Sequence, residues 1–115
     1  NLHFAYELAR KLTADSAAPR VVSAHPGVCQ TELTRHSKIV ELMGKVIAQK
    51  QAVGALSLLR AAVDPTASNA DYYGPSGFFE MAGSPIKMQS TKWSKDQSTG
   101  ERLWALSEEL TGVKY

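Results

Sequence analysis

Val21-Val22-Ser23-Ala24-His25-Pro26-Gly27-Val28-Cys29-Gln30-Thr31 is the stretch on which the fold turns. Its Val-Val-Ser-Ala run is small and apolar on both faces, the pattern of a strand buried inside a parallel sheet, and predicts a strand over residues 20–25. Pro26 fixes φ and carries no N–H, so the strand stops there. Gly27 has no Cβ and lets a flat ligand approach the backbone closely. Thr31 then offers a hydroxyl at the start of the next segment. Open α/β sheets hold their ligands just beyond the carboxyl ends of their strands. The turn is therefore the candidate ligand site of the chain.

Upstream, Leu2, Ala5, Leu8 with Ala9, and Leu12 recur at helical spacing and form one apolar face. No capping box precedes that helix, and the first residue is Asn1 rather than an initiator Met. Residues 16–19 are a short connector ended as helix by Pro19. Downstream, residues 32–49 show no clean period. Residues 49–63 predict a helix with Ala52, Leu56, Leu59 and Val63 along one face. Asp64-Pro65 ends it, because the residue before proline is pushed out of helical geometry. Tyr72-Tyr73 running into Gly74-Pro75-Ser76-Gly77 predicts a short strand and turn, and residues 78–88 an irregular stretch. Ser94 and Gln97 have capping-box spacing and open a helix carrying Leu103, Trp104, Leu106 and Leu110, stopped by Gly112. The order is helix, strand, helix, short strand, helix. A central strand needs neighbours on both sides, and Tyr72-Tyr73 is the other candidate here. The expectation is α/β: the C-terminal part of a doubly wound parallel-sheet (Rossmann-type) domain, incomplete on its own, whose missing strands precede Asn1.

Composition narrows the function classes. A chain of 115 residues has room for one small domain at most, and 43% apolar with 21% charged residues is ordinary globular usage. A formal net charge of +2, from lysines and arginines scattered among acids, argues against nucleic acid as a partner. No apolar run approaches a membrane span, and Asn1-Leu2-His3 does not resemble a signal peptide. Cys29 is the only cysteine, so no disulfide forms within the chain, and a reducing cytoplasmic setting is expected.

Taken together these pieces resemble the C-terminal portion of a short-chain dehydrogenase/reductase, of the retinol-dehydrogenase-like and related bacterial kind. Asn1-Leu2-His3-Phe4-Ala5-Tyr6-Glu7-Leu8 resembles the helix that continues from the family's Tyr-x-x-x-Lys motif. Pro26-Gly27-Val28-Cys29-Gln30-Thr31 resembles its Pro-Gly-x-x-x-Thr nicotinamide-side motif. Tyr72-Tyr73-Gly74-Pro75 resembles the last strand and its turn, and Arg102-Leu103-Trp104 with Ser107 and Leu110-Thr111-Gly112 the closing helix. The resemblance implies hydride transfer between NAD or NADP and a carbonyl or alcohol substrate, with the hydride chemistry brought by the cofactor. It implies that Pro26 and Gly27 shape the backbone beside the nicotinamide. The Val28 backbone bonds the carboxamide, and Thr31 adds a side-chain contact to carboxamide or pyrophosphate. Residues 32–50 become a mobile lid, Cys29 and Leu33 border the substrate, and the helix around Leu2 to Leu12 supports a homo-oligomer.

The chain also departs from that pattern. The family's glycine-rich phosphate turn, its catalytic serine and its Tyr-x-x-x-Lys pair are expected before Asn1. Tyr6 is followed at the fourth position by Arg10, and neither Tyr72 nor Tyr73 has a lysine at that offset. This stretch alone is therefore expected to be inactive, and a non-enzymatic interaction or scaffold protein of the same fold is the alternative. His25 and Cys29, four apart, lack further ligands at a zinc spacing, including from His3 or His36, so no metal is expected. Glu108-Glu109 reads as a solvated helix face, Trp93 and Trp104 as packing residues. Gly74 to Gly77 reads as a turn rather than a phosphate loop.

Overall fold

Pro26 does end the first strand: β1 covers Val22–Ala24, inside the expected span, and each of its residues is half-buried. The computed structural model describes residues 1–13, 19–29 and 48–114. Within them α1 (Leu2–Leu12) and β1 are followed by α2 (Gln51–Val63), β2 (Asp71–Pro75), β3 (Pro85–Met88) and α3 (Gln97–Thr111). Single 3-10 turns lie at Phe78–Glu80 and Trp93–Lys95. The architecture is α/β, with a mixed sheet in the order β1-β2-β3. Packing divides the chain into two units, one of Asn1–Ser23, Ser68–Asp71 and Gln89–Tyr115, the other of Ala24–Ala67 and Tyr72–Met88.

In the first unit α1 lies on α3 and on the Trp93 turn. The buried residues of α1 are Tyr6, Glu7 and Ala9; of the expected apolar face Ala9 is buried, while Leu2, Ala5, Leu8 and Leu12 are half-buried. Glu7 can be buried because Arg10, one turn on, reaches its Oε2 at 2.6 Å. A buried carboxylate is tolerated when a charged partner satisfies it. Gly100 makes room for this pair, since a Cβ there would lie 2.7 Å from Arg10 Nη2 and 3.5 Å from Glu7 Oε2. Trp104 is buried, stacked on Phe4 with ring centroids 4.9 Å apart, and donates its indole N–H to Glu108 at 2.9 Å. Glu108 is thus engaged rather than simply solvated. Trp93 is mostly exposed and meets only the edge of His3 among the ring contacts seen, which corrects its reading as a packing residue.

In the second unit β3 pairs antiparallel with β2, Tyr72 opposite Met88 and Pro75 opposite Pro85. This corrects the irregular stretch expected over 78–88. Pro85 reads as a breaker, but at the first position of an edge strand its missing N–H costs the ladder nothing. Tyr73 is fully buried, with Arg60 over its ring and its hydroxyl donating to Asp64 at 3.3 Å. Helix α2 buries Gly54 and Ser57, whereas Leu56, Leu59 and Val63 of the expected core face are exposed. Periodicity weights large apolar side chains, but here the closest approach is made by the smallest ones.

Helix α3 starts differently from expectation. Its N-cap is Asp96, whose carboxylate accepts from the Thr99 amide at 2.8 Å and the Ser98 hydroxyl at 2.8 Å. Ser94 sits in the preceding turn and donates to Thr91 O at 2.8 Å, so it is not free to cap. Gly112 closes the helix in the left-handed region (φ 70°), as expected. The Thr99 hydroxyl and amide, then Ser98, hold the Asp96 carboxyl down from 3.8 to about 2. A depressed folded-state value stabilises above the unfolded one and loses that contribution as pH falls toward the folded one. Thermal melts across the acid range check this. Asp96→Asn keeps an N-cap acceptor without a charge to titrate, so the fall in Tm between about pH 4 and pH 2 is shallower than in the wild type. Asp96→Ala lowers Tm at neutral pH by roughly 4–8 °C.

Candidate functional site

The turn after β1 lies wholly in the second unit. His25 N donates to Tyr73 O at 3.0 Å, and its imidazole stacks on Tyr72 with centroids 5.4 Å apart and planes 22° off parallel. His25 Nδ1 accepts from the Gly27 amide at 3.3 Å. An imidazole nitrogen that accepts is unprotonated, so the neutral ring carries its proton on Nε2. That nitrogen is buried and faces Glu80 Oε2 at 3.6 Å. Gly74 leaves space for the ring, since a Cβ there would collide with it.

Gly27 adopts φ 69°, and a Cβ on it would press against the Met81 carbonyl and lie 2.8 Å from the Pro75 ring. The glycine is therefore required by the chain's own packing, a different reason from the ligand approach expected of it. Both backbone groups of Val28 are engaged: its N–H donates to Met81 O at 2.7 Å and its carbonyl accepts from Gln49 N at 2.9 Å. Cys29 bridges Gln49 in parallel, and its thiol is turned back to Pro26 O at 3.4 Å. Gln49 closes the arrangement. Its Nε2 donates to Pro26 O at 2.7 Å and its Oε1 accepts from Gly83 N at 3.0 Å. The side of α2 carrying Gly54 seats against this turn, where a Cβ would overlap the Cys29 sulfur and lie 3.0 Å from Pro26 O.

The structure thus brings Pro26, Gly27, Val28 and Cys29 together, with Pro26 and Val28 exposed. Thr31, Leu33 and the expected lid over 32–47 lie outside the described residues. Lys50, the last lid position, is the N-cap of α2. Gln49, Gly54, Glu80, Met81 and Gly83 build the site and were not singled out from sequence. Gly54 was the available signal, because an isolated glycine inside a helical pattern often marks a close approach. Among the described residues no group of three His, Cys, Asp or Glu could hold a metal ion, and no helix is long and apolar enough to cross a membrane. A shallow cleft of about 390 Å³ in the first unit is lined by Tyr6, Arg10, Thr13, Asn69 and Lys95. Each of these has a partner within the protein, in Ser90, Glu7, Ala9 (for both Thr13 and Asn69) and Gln89, so the cleft offers few open polar groups.

No protein-family profile matches the chain. Along its whole length it is similar to retinol dehydrogenase 12 of Homo sapiens, 27% identical over 122 residues, and of Mus musculus, 28% identical over 118. The likeness is to retinol dehydrogenases. The chain spans about a third (34%) of the length of these curated relatives. It also matches the crystal structure of an uncharacterised protein from Mycobacterium paratuberculosis, with a TM-score of 0.70 and 30% identity. That match covers 99% of this chain and 36% of the other.

The Gly54 contact is open to a double-mutant cycle. In an exposed helix Gly→Ala gains up to about 1 kcal/mol. Here Gly54→Ala is expected to destabilise by about 1–3 kcal/mol, because the methyl overlaps the Cys29 sulfur. In a Cys29→Ala background the penalty shrinks, giving a coupling of about 0.5–3 kcal/mol in urea melts. Strict additivity of the two substitutions would show that sulfur and helix do not touch.

Proposed function

We propose that the chain is part of a nicotinamide-dependent oxidoreductase of the short-chain dehydrogenase/reductase family, contributing the wall beside the nicotinamide and the substrate lid. One observation carries this reading: whole-length similarity to retinol dehydrogenase 12, with the Pro-Gly-x-x-x-Thr sequence falling at the carboxyl end of β1. The substrate class is a carbonyl or alcohol, the cofactor is NAD or NADP, and the complete protein is a homo-oligomer in a reducing, cytoplasmic setting. In this reading the fold is the C-terminal part of a doubly wound domain, and the proton-transfer residues lie outside residues 1–115.

The residues fit a flat ring ligand in a specific way. Pro26 and Val28 are exposed and offer apolar surface, and a carbonyl oxygen has two lone pairs, of which Val28 O uses one for Gln49 N. The second can accept from the carboxamide NH₂. The Val28 N–H is already committed to Met81 O, so the carbonyl is the group proposed to bond the ligand. Thr31 supplies the side-chain contact to carboxamide or pyrophosphate. Leu33 borders the substrate, while Cys29, its thiol folded onto Pro26, contributes shape to the turn. The bound nicotinamide would supply the hydride chemistry.

The complete protein is the material for the test. Thr31→Ala removes one hydrogen bond and should raise the apparent KM for the nicotinamide cofactor about 3–10-fold, with the substrate KM less affected. Unchanged values for both would count against the role of Thr31. A wild-type protein that binds neither NAD(H) nor NADP(H) would remove the reading itself.

A further inference from the structure

We propose that Gln49 is a positioning residue that locks the Pro26–Val28 turn to the β2–β3 hairpin and thereby sets affinity for the nicotinamide cofactor. The cofactor half of this statement rests on the function proposed above; the lock itself rests on geometry alone. Three hydrogen bonds converge on one residue: the backbone N–H donates to Val28 O at 2.9 Å, Nε2 donates to Pro26 O at 2.7 Å, and Oε1 accepts from Gly83 N at 3.0 Å. The amide orientation is fixed by its partners, since a carbonyl can only accept and a backbone N–H can only donate. Residue 49 must therefore be donor and acceptor at once, on a side chain of this length. Asparagine is one methylene short, and an ionised glutamate accepts but cannot donate.

The lock acts where the turn is otherwise thinly held. Pro26 has no N–H of its own, and its carbonyl has left the strand. Besides Gln49 it accepts only the weak, long bond from the Cys29 thiol among the contacts seen. The other end of the lock, Gly83, sits at φ 120° in the hairpin, a conformation L side chains rarely adopt. On its opposite flank the same hairpin reaches the turn through Met81 O and Glu80. Gln49 thus couples the position of the Val28 carbonyl to the hairpin. Loss of the side chain frees the turn while leaving the Val28–Met81 bond in place.

Glutamate at this position gives a signature that a merely structural role would not. When ionised it sets a negative charge against the Pro26 carbonyl and loses the donor. When protonated it restores both bonds, because a neutral carboxyl is close in shape to the amide. Cofactor titrations of the complete protein, wild type against Gln49→Ala and Gln49→Glu, are read between about pH 4 and pH 8. His25, Cys29, Lys50 and Glu80, the other ionisable groups near the turn, are the same in every variant, so the ratio to wild type at each pH isolates residue 49. Gln49→Ala is expected to weaken cofactor binding about 3–10-fold at all pH values. Gln49→Glu should be at least as weak near pH 8 and recover toward wild type as pH falls to about 4, where an ordinary glutamate takes up its proton. A ratio for Gln49→Glu that is flat with pH, or a Gln49→Ala affinity within twofold of wild type, would overturn the cofactor role. Amide exchange at Gly83 tests the lock without any ligand. It should speed up in Gln49→Ala, whereas in Gln49→Glu the carboxylate still accepts from the Gly83 N–H and keeps it protected; unchanged protection in Gln49→Ala would overturn the lock. If the wild type binds no nicotinamide cofactor while Gly83 exchange responds as expected, the functional reading fails and the lock stands.

Discussion

The arrangement depends on one steric fact: residue 27 must pass beneath the Met81 carbonyl in the left-handed region, and only glycine can do so. With no Cβ at that point, the next amide comes within 2.7 Å of the same carbonyl. The bond from Val28 to Met81 then fixes where β1 ends relative to the hairpin. From there Cys29 is placed alongside Gln49, and Gly54 of α2 seats on the Cys29 sulfur. Each such bond contributes only about 0.5–1.5 kcal/mol net. Their clustering matters more, because together they hold the turn, Gln49 and the hairpin in one arrangement.

The hairpin bears a cost for offering that carbonyl. Phe79 and Glu80 both adopt positive φ, 49° and 58°, which a bulky side chain does only at an expense of about 1–3 kcal/mol each. The bonds from Ser76 N to Ser84 O, Gly77 N to Ala82 O and Glu80 N to Gly77 O hold the loop in that shape. The two phenylalanines meet edge to face at 4.2 Å but remain largely exposed, so little burial offsets the strain. What the strained loop does deliver is contact with the turn: Met81 O for Val28 and Glu80 for His25.

Sequence reasoning reached some of this and missed the rest for identifiable reasons. Helix α1, the end of β1 at Pro26, β2 at Tyr72-Tyr73 and the Gly112 stop were legible because each is written in local chemistry: period, proline, β-branched or aromatic runs, glycine. β3 was hidden by Pro85, which marks a break unless the strand is known to lie on an edge. The burial of Gly54 and Ser57 over Leu56 and Leu59 could not be read from periodicity, since it depends on how near the Cys29 turn lies. The α3 cap went to Asp96 because an ionised carboxylate outcompetes a serine already bonded to Thr91. At the site, Pro26 and Gly27 were visible as breakers. Gln49 was not, because a polar residue in a segment without period carries no mark of the carbonyl and amide it bridges.

This arrangement changes what the turn can offer a ligand. A freely presented strand end would expose both an N–H and a C=O, and recognition could rest on the donor. Here the donor at Val28 is consumed by Met81, and the acceptor is shared with Gln49. Among the described residues, what Val28 leaves uncommitted is one carbonyl lone pair, beside the exposed surfaces of Pro26 and Val28. In the nicotinamide reading, such a wall recognises a ring carrying an NH₂ group by shape and one accepted hydrogen bond. A ring bearing only an acceptor would find no donor in the Val28 backbone, and a buried group left unpaired costs about 1–3 kcal/mol. In that reading the selectivity of the wall would follow from the chain satisfying its own donor first, which the missing Cβ of Gly27 allows.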